Sequence, residues 1–520
     1  MTLSPGTVGD VTRLGAAEIA HRVASGELSA RDVVEACISR IERVNGRLNA
    51  LAVPLFEQAR AAAAAADATR DRGDALGPLH GVPVTIKEMF DTAGSATTAG
   101  LAGRAAQVAD ADSPLVDRLR RAGAIVLGKT NVPQFGMLCE TDNPVYGRTN
   151  NPWDLGRSPG GSSGGEAALI AAGGSPLGLG SDLGGSIRLP CHCCGIHGLK
   201  PTGGRLTMRG HWMSSNWRDG WAQPGPMARR VADLGLALSV LDTAADAPAP
   251  RRPGDPAAVA VGQLRVAAYA DDGYFPPAPA IRRAVREAAA ALRERGARVE
   301  DFRPPDVAEA ARLYFGLYFA DGLDEIRQHL GGGPCDWRVR RILLFAGMPT
   351  ALRPAVGRLL AWTAQRYAAQ IVGFVPRRRL TAEAYARLID EEAAYRGRFL
   401  AALDAGQFDA IVCPASGLPA LRHGEFNGSV ASSYTYLYNL LGLPAGVVAA
   451  TRVRPGEESE REPSWDPVVR AARAVERGSA GLPVGVQVVA RPWREDVVLA
   501  VMSTLEDHFG KQPDYPAQPP

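Results

Sequence analysis

Three polar residues occur in settings that could support nucleophilic catalysis: Lys87, Ser162 and Ser186. Lys87 follows the apolar stretch 82–86, so a strand there would carry the amine inward, where burial lowers the pKa of a lysine. Each serine has glycines beside it, in GGSSGG and DLGGSIR, which allow a tight turn and the close approach of another group. Singly, such a lysine is more often ion-paired or snorkelling, and such serines more often mark simple turns. Together they predict a serine nucleophile activated by lysine, without a histidine.

The segment that ends at Ser186 offers a second feature of acyl-transfer chemistry. Successive backbone N–H groups at Leu183, Gly184, Gly185 and Ser186 could converge on one point, because glycines permit the required turn. Such donors stabilise the negative oxygen that forms on an attacked carbonyl group. The segment is therefore a candidate oxyanion-binding site.

Two shorter patterns suggest other chemistry and are not favoured. Residues 123–130 read GAIVLGKT, a literal match to the phosphate-binding loop of nucleotide-binding proteins. The four central residues favour a strand and a predicted helix precedes them, so we predict a helix, a turn and a strand here. Cys191, Cys193, Cys194 and His197 could suggest zinc, but no second pair of ligands accompanies them. No metal and no other cofactor is predicted.

The elements around these residues predict an α/β fold. The N-terminal region looks helical, with Ser29 and Asp32 as an N-cap pair ahead of apolar residues at helical spacing up to Val44. From residue 83 onward, short apolar segments alternate with helical ones, which is typical of an α/β sandwich with a largely parallel sheet. The predicted helices are 58–72, 114–121, 167–172 and 280–295, and the predicted strands are 82–86, 124–127 and 297–301.

Composition argues against several classes of protein. The chain has 520 residues with 58 Lys and Arg against 55 Asp and Glu, so a nucleic-acid partner is not expected. The seven cysteines are sparse and odd in number, and no secretory leader is recognised, which together predict a reducing, cytoplasmic location. The charge-free run 428–451 is long enough to cross a bilayer, but its many polar side chains indicate buried protein interior.

Several long motifs, in order along the chain, resemble those of the amidase signature family. The segment GGSSGGEAALIAAGGSPLGLGSDLGGSIRLP at 160–190 carries the likeness, and GVPVTIKEMFD, LGKTNVPQF, NPWD, GLKPTGGRL and GPMARRVADL extend it. Within the family, SYTYLYNLLGLPAGVV and GLPVGVQVVARPW resemble the fatty acid amide hydrolase branch. The resemblance is strong over 80–235, good over 405–500 and loose over 245–400.

This resemblance implies one large α/β/α sandwich with a central mixed, largely parallel sheet flanked by helices. A helical segment, 1–75, would pack on an amidase signature domain, 76–510. The parts expected in that domain are a catalytic core at 80–235, a middle or cap region at 245–400 and a C-terminal core part at 405–510. The proline- and alanine-rich stretch 244–258 is the candidate internal linker.

The resemblance also implies roles for particular positions. Lys87, Ser162 and Ser186 match the family's Ser–cis-Ser–Lys triad. The matched oxyanion and substrate-binding positions are Gly136, Leu183, Gly184 and Gly185, and the matched supporting positions are Asp182, Arg188 and Ser163. The chain departs from the family pattern at Gln134, where glutamate is frequent, and at 191–193, where small or aromatic residues are usual. Both departures could alter packing or the shape of an acyl pocket.

The function implied is the hydrolysis of carboxylic amides to an acid and an amine or ammonia, on fatty acyl or aryl amides and through an acyl-enzyme. A small-amide amidase and the A-type subunit of a tRNA-dependent amidotransferase remain as alternatives. The resemblance further implies a homodimer. Residues 338–379 mix apolar side chains with arginines, which predicts either a peripheral membrane contact or a solvated helix face over ordinary core.

Overall fold

A mixed β-sheet runs through the centre of the protein. The computed structural model describes residues 10–212, 220–242, 252–349, 351–374, 378–425 and 428–520. The strands found there are β1 (Leu51–Pro54), β2 (Pro83–Lys87), β3 (Ile125–Thr130), β4 (Leu177–Asp182), β5 (His197–Lys200), β6 (Gln223–Ala228), β7 (Arg265–Ala268), β8 (Arg298–Asp301), β9 (Ala410–Pro414), β10 (Ala445–Arg452) and β11 (Pro483–Ala490). They form one sheet in the order β1-β3-β2-β4-β6-β5-β10-β11-β9-β7-β8.

The strand directions confirm a mixed sheet but correct the expectation that it is largely parallel. Among the described strands, four neighbouring pairs are parallel, namely β2 with β3, β2 with β4, β7 with β8 and β7 with β9. The other six pairs are antiparallel. Two strands joined by a helix are usually parallel neighbours. The prediction of a largely parallel sheet relied on the alternation of helices and strands near the N-terminus. The middle of the sheet is built instead from antiparallel pairs, some of consecutive strands, such as β5 with β6, and some of distant strands, such as β5 with β10.

Helices cover both faces of this sheet. They are α1 (Ala16–Ala24), α2 (Ala30–Leu48), α3 (Phe56–Asp71), α4 (Pro114–Arg121), α5 (Gly164–Ala171), α6 (Arg188–Cys194), α7 (Val231–Leu241), α8 (Pro279–Glu294), α9 (Val307–Tyr318), α10 (Asp324–Leu330), α11 (Trp337–Gly347), α12 (Arg353–Trp362), α13 (Arg366–Phe374), α14 (Ala382–Ala405), α15 (Gly428–Ala431), α16 (Ser433–Leu440), α17 (Pro467–Glu476) and α18 (Glu495–Phe509). Two large apolar clusters lie within these layers, one around α2, α8 and α18 and the other around α9, α14 and α16. The α/β architecture is therefore confirmed.

The N-terminal segment is helical, as predicted, but it also supplies a strand. Ser29 caps α2 by accepting a hydrogen bond from the Asp32 N–H group, and the buried apolar residues of α2 face the core. Between α2 and α3, β1 pairs with β3 and forms one edge of the sheet. Four residues are too few to show a period, so the sequence pattern did not reveal this strand.

The phosphate-loop match at 123–130 folds as a helix, a turn and a strand, as predicted. Helix α4 precedes it, Gly123 turns with φ +91°, and β3 continues through the Gly-Lys-Thr residues. Lys129 lies buried in the strand, and its amine donates to Ala96 O (2.5 Å) and Thr97 Oγ1 (3.0 Å). A lysine held inside a strand cannot cradle phosphate from a loop.

The candidate zinc residues and the charge-free run 428–451 both lie within the folded layers. Cys191, Cys193 and Cys194 lie buried on α6, while His197 lies on β5. No group of three or more His, Cys, Asp or Glu side chains suited to a metal occurs in the described residues. The run 428–451 forms α15, α16 and β10, and the described side chains of α16 are all buried. Across the described ranges, no helix is long and apolar enough to span a membrane.

Some predictions fall on parts of the chain outside the described residues. These are residues 1–9 of the N-terminal segment, 244–251 of the candidate linker and, within the stretch 338–379, residues 350 and 375–377 together with the side chains of 371–374.

Candidate active site

The neighbouring parallel strands β2 and β4 end together, and this brings the candidate residues to one edge of the sheet. Lys87 is the last residue of β2 and is 1% exposed. Its Nζ lies 2.6 Å from Ser162 Oγ, 2.9 Å from Ser181 Oγ and 3.2 Å from Ser181 O. The structure therefore places the predicted lysine in direct contact with one of the two predicted serines.

Burial decides the protonation state of Lys87. Removal from water lowers the pKa of Lys87 to about 7, although Asp182 and Glu166 both act to raise it. Glu166 is fully buried on α5, and burial raises its pKa to about 7. Lys87 is thus substantially neutral at pH 7 and increasingly neutral above it, which a general base requires.

Ser162 is fixed by the glycine turn that precedes it. Gly160 has φ +87°, and the peptide bond from Gly161 to Ser162 is cis. A Cβ atom on Gly161 would lie 2.3 Å from Leu138 O, so only glycine fits there. Ser162 is 2% exposed, with its hydroxyl against Lys87 rather than in solvent.

Ser186 lies in a second turn, between β4 and α6, and is half-buried against a cavity. The N–H group of Ser163 donates to Ser186 O (3.1 Å), which ties the two serine segments together. Ser163 Oγ also donates to Ser181 O (3.2 Å). The structure therefore brings Lys87, Ser162, Ser163 and Ser186 into one cluster.

Asp182 and Arg188 form a fully buried ion pair beneath this cluster. Arg188 Nε lies 2.9 Å from Asp182 Oδ2, and Arg188 Nη2 lies 2.9 Å from Asp182 Oδ1. Burial alone would raise the pKa of Asp182, but the Arg188 guanidinium holds it well below its usual range. Arg188 also donates to Gln487 Oε1 (2.7 Å) and Asn439 Oδ1 (2.5 Å). Its guanidinium joins the serine turn to α16 and β11.

The candidate oxyanion segment divides between the cavity and Asp182. Leu183, Gly184 and Ser186 line the cavity. The N–H group of Gly185 instead donates to Asp182 Oδ1 (2.8 Å), and Gly185 has φ +122°. A Cβ atom on Gly185 would lie 2.4 Å from Thr435 Oγ1, which requires glycine at this position.

Gly136, which the resemblance matches to a substrate-binding position, lies near Ser162. It has φ +65° and lines the same cavity, and a Cβ atom on it would lie 3.7 Å from Ser162 Oγ. The preceding Gln134 donates to Pro334 O (2.9 Å) and accepts from the Asp336 N–H group (2.9 Å). The departure at Gln134 therefore connects the loop at 134–136 to the start of α11.

The cavity beside Ser186 has a volume of about 160 Å³ and mostly apolar walls. Its apolar lining comprises Met137, Leu138, Leu183, Leu189, Tyr314, Phe315, Tyr318, Phe319, Ile342, Phe345, Val430 and Tyr436. Charged side chains also reach it, namely Glu140, Arg338 and Glu425. Arg338 of α11 is buried and donates to Glu140, to Asp142 (2.7 Å) and to Asp336 (2.8 Å). The middle region of the chain thus builds one wall of the cavity.

Several residues at the site were not found from the sequence. Ser181 bonds to the Lys87 amine, and His211 Nε2 lies 2.9 Å from Ser181 Oγ. Asn439 and Gln487 complete the partners of Arg188. Ser181 could have been inferred from its place beside Asp182 at a strand end. Asn439 and Gln487 lie within the motifs SYTYLYNLLGLPAGVV and GLPVGVQVVARPW, which mark their segments but not their contacts, and His211 carries no local signal.

Comparison with solved structures relates this fold to enzymes that cleave amides. The structure titled "Fatty acid amide hydrolase" matches with a TM-score of 0.85 and 26% sequence identity, covering 98% of this chain and 87% of that chain. The fold and site thereby define the class of protein as an amide-hydrolysing enzyme.

Sequence comparison gives the family. Residues 32–499 match the family described as Amidase. The chain is 36% identical over 516 residues to "Fatty-acid amide hydrolase 1" of Sus scrofa, covering 95% of this chain and 86% of the relative. It is 32% identical over 527 residues to the A-type subunit of a glutamyl-tRNA(Gln) amidotransferase from Anaeromyxobacter sp. (strain K), covering 98% of each. The chain belongs to the amidase family, and its predicted likeness to fatty acid amide hydrolases is confirmed.

Removing Arg188 should destabilise the fold strongly, because Asp182 would be left as a buried charge without its counterion. We expect Arg188→Met to lower the free energy of unfolding by about 3–5 kcal/mol. As a control, Arg312→Met removes a half-exposed partner of Glu391 and should change it by less than about 1 kcal/mol. Urea unfolding followed by circular dichroism measures both, and equal effects would contradict the role of the buried pair.

Proposed function

We propose that this chain hydrolyses lipophilic amides, with fatty acyl or aryl groups, through an acyl-enzyme on Ser186. The observation that carries the proposal is the 2.6 Å contact between Lys87 Nζ and Ser162 Oγ, in a buried cluster next to a serine that faces an apolar cavity. A lysine that is neutral near pH 7 can act as a base. It can accept a proton from the neighbouring serine, which can in turn accept one from the nucleophile.

The reaction begins with a tetrahedral intermediate on Ser186. Neutral Lys87 takes the proton of the Ser162 hydroxyl, and Ser162 takes the proton of Ser186, whose Oγ attacks the amide carbonyl carbon. The carbonyl oxygen gains negative charge and receives hydrogen bonds from the backbone N–H groups of 183, 184 and 186, three residues that line the cavity. Loss of one such donor costs about 3–4 kcal/mol of transition-state stabilisation in other enzymes. The Gly185 N–H group donates to Asp182 instead of to the substrate carbonyl oxygen, so its role is to orient the segment 183–186.

Collapse of this intermediate forms the acyl-enzyme and releases the amine, and hydrolysis then releases the acid. The proton held by Lys87 returns through Ser162 to the amine nitrogen, so the C–N bond breaks with a neutral amine or ammonia as the leaving group. Water then attacks the ester carbonyl carbon of Ser186 while the same relay accepts its proton. Cleavage of the ester bond returns a proton to Ser186 and releases the acid.

The cavity supports an apolar substrate. Twelve of its lining residues are apolar or aromatic, and they surround the approach to Ser186. Burial of each methylene group of an acyl chain in such a site contributes about 0.8 kcal/mol. The names of the relatives include fatty acid amide hydrolases, which agrees with this substrate class.

The surface next to the cavity supports contact with a lipid surface. Helices α11 and α12 expose large apolar side chains: Trp337, Leu344, Phe345, Leu359 and Trp362. Phe345 also lines the cavity, so the exposed apolar surface continues into the binding space. Arginines on the same helices, among them Arg341 and Arg358, would favour anionic lipid headgroups. We therefore propose that α11 and α12 rest on membranes and that the substrate enters from the lipid.

Replacing the nucleophile should abolish covalent chemistry. We expect Ser186→Ala to lose labelling by a fluorophosphonate probe and to lose oleamide hydrolysis, because the proposed relay through Lys87 and Ser162 activates the Ser186 hydroxyl. Ser239→Ala, an exposed serine on α7, serves as the matched control and should label like the unchanged protein. Gel fluorescence and ammonia release measure the two properties. Undiminished labelling of Ser186→Ala would place the nucleophile elsewhere.

Acyl chain length should control turnover. In a series of primary amides from acetamide to oleamide, we expect kcat/KM to rise by up to about fourfold for each buried methylene group until the cavity is filled. The free chain, purified without partners, is used throughout, with ammonia release as the measurement. A maximum at acetamide would favour a small-amide amidase, and activity that requires both tRNA and a second protein would favour the amidotransferase alternative.

Removing exposed apolar side chains from α11 and α12 should weaken membrane binding. We expect the chain to sediment with vesicles that contain phosphatidylglycerol and the double variant Leu359→Ser/Trp362→Ser to remain mainly in the supernatant. Leu155→Ser removes a side chain that is 40% exposed in a different segment, and it should bind like the unchanged protein. If the unchanged chain fails to sediment at low salt, the membrane proposal is wrong.

A further inference from the structure

His211 is a buried histidine next to the candidate base, and the proposed reaction assigns it no role. Residues 210–212 pair with 89–91, which directly follow β2: Phe90 bridges His211, the Asp91 N–H group donates to Gly210 O (2.7 Å), and the Trp212 N–H group donates to Met89 O (2.8 Å). The His211 ring is 4.6 Å from the Phe90 ring, edge to face. This pairing brings His211 Nε2 to 2.9 Å from Ser181 Oγ.

The three contacts of Lys87 limit how its hydrogens can be arranged. A neutral amine has two hydrogens to donate and one lone pair to accept. Ser181 O can only accept, so one hydrogen of Lys87 belongs there. One hydrogen and the lone pair are left for two hydroxyl groups, those of Ser162 and Ser181. Only one of the two hydroxyls can therefore donate to the lone pair.

The proposed base role requires that the lone pair face Ser162. Lys87 must then donate its second hydrogen to Ser181 Oγ, and the hydrogen of Ser181 must point to another acceptor. The His211 Nε2 atom, at 2.9 Å, is such an acceptor when the ring carries its proton on Nδ1. Burial and the nearby Lys87 hold the pKa of His211 well below its usual range, so the ring stays neutral and can accept.

We propose that His211 is a positioning residue: by accepting the hydrogen of Ser181, it keeps the Lys87 lone pair directed at Ser162. This inference rests on the proposed function, because it concerns the same base. Without an acceptor at position 211, the Ser181 hydroxyl can turn and donate to the lone pair. Lys87 is then neutral but divided between a productive arrangement, facing Ser162, and an unproductive one, facing Ser181.

This competition has a distinctive effect on the dependence of rate on pH. At low pH most Lys87 is protonated, and the productive neutral fraction depends only on its equilibrium with the ammonium form. At high pH the unproductive arrangement withdraws part of the neutral lysine. Removing the acceptor should therefore lower the alkaline plateau and move the midpoint to lower pH by the logarithm of the same factor, while the acid limbs coincide. The other charged groups facing Lys87, Asp182 of β4 and Glu166 of α5, are unchanged by the substitution.

The test measures the second-order rate of fluorophosphonate labelling at Ser186 from pH 5.5 to 9.5. For the unchanged protein, the rate should rise with pH through about 7 and then level, because deprotonation of Lys87 creates the base. For His211→Phe we expect a plateau about three- to tenfold lower and a midpoint about 0.5–1 pH unit lower. His211→Met repeats the test with a second apolar residue should the phenylalanine variant fail to fold.

Two further variants separate positioning from a structural effect. His211→Gln keeps an acceptor oxygen and should recover most of the plateau. In the Ser181→Ala background no competing hydroxyl remains, so adding His211→Phe should change the plateau by less than about twofold, well below the loss in the presence of Ser181.

The outcomes distinguish this inference from the proposed function. The positioning role alone is wrong if a His211 variant labels Ser186 with the same loss of rate at low and at high pH. It is also wrong if the loss of rate is as large in the Ser181→Ala background. Absence of labelling in the unchanged protein at every pH would overturn the proposed function, and the positioning role would fall with it.

Discussion

The buried ion pair between Asp182 and Arg188 is the interaction on which the rest of the site depends. Asp182 ends β4, and its carboxylate accepts from the Gly185 N–H group (2.8 Å), the Ile187 N–H group (3.1 Å) and the Arg188 guanidinium. The whole turn that presents Ser186 is therefore arranged around one carboxylate. Arg188 extends this arrangement to Asn439 and Gln487, so residues more than 250 positions away share the same charge pair. A buried pair is stable only when its remaining donors and acceptors are also satisfied, and here they are satisfied by the elements that must be held together.

The two buried basic residues of the site have different direct partners. Arg188 contacts a carboxylate at 2.9 Å, whereas Lys87 has hydroxyl and carbonyl oxygens as its direct partners, with Asp182 and Glu166 acting only from a distance. Because no carboxylate contacts Lys87, burial lowers its pKa to about 7. Strand β2 carries Lys87 to this buried position. The hydroxyl groups that are hydrogen-bonded to the neutral amine then orient its lone pair.

The placement of several candidate site residues could be predicted from the sequence, because glycine reports backbone conformations that few other residues adopt. The glycines at 160 and 185 have positive φ, and they flank the serines that the pattern singled out. The helix after Ser29 was evident from its cap and its apolar spacing up to Val44, and the structure extends it to Leu48. The antiparallel centre of the sheet was not, since strand partners are chosen by packing between distant segments. The roles of His211, Asn439 and Gln487 were missed for the same reason, because each reaches the site through tertiary contacts. Asn439 and Gln487 lie within motifs that resemble the family, but those motifs do not show which residue contacts Arg188.

Arg338 connects the middle region of the chain to the core that carries the candidate site residues. The two regions supply different parts of the site. The loop that carries Gly136 and Glu140 belongs to the well-matched core, whereas α11, which carries Arg338, Ile342 and Phe345, belongs to the loosely matched middle region. The Arg338 ion pairs and the two hydrogen bonds of Gln134 hold the start of α11 against this loop, and neither involves the turn at Ser186. Relatives can therefore diversify by keeping the reacting groups on one segment while another segment changes the shape of the substrate cavity.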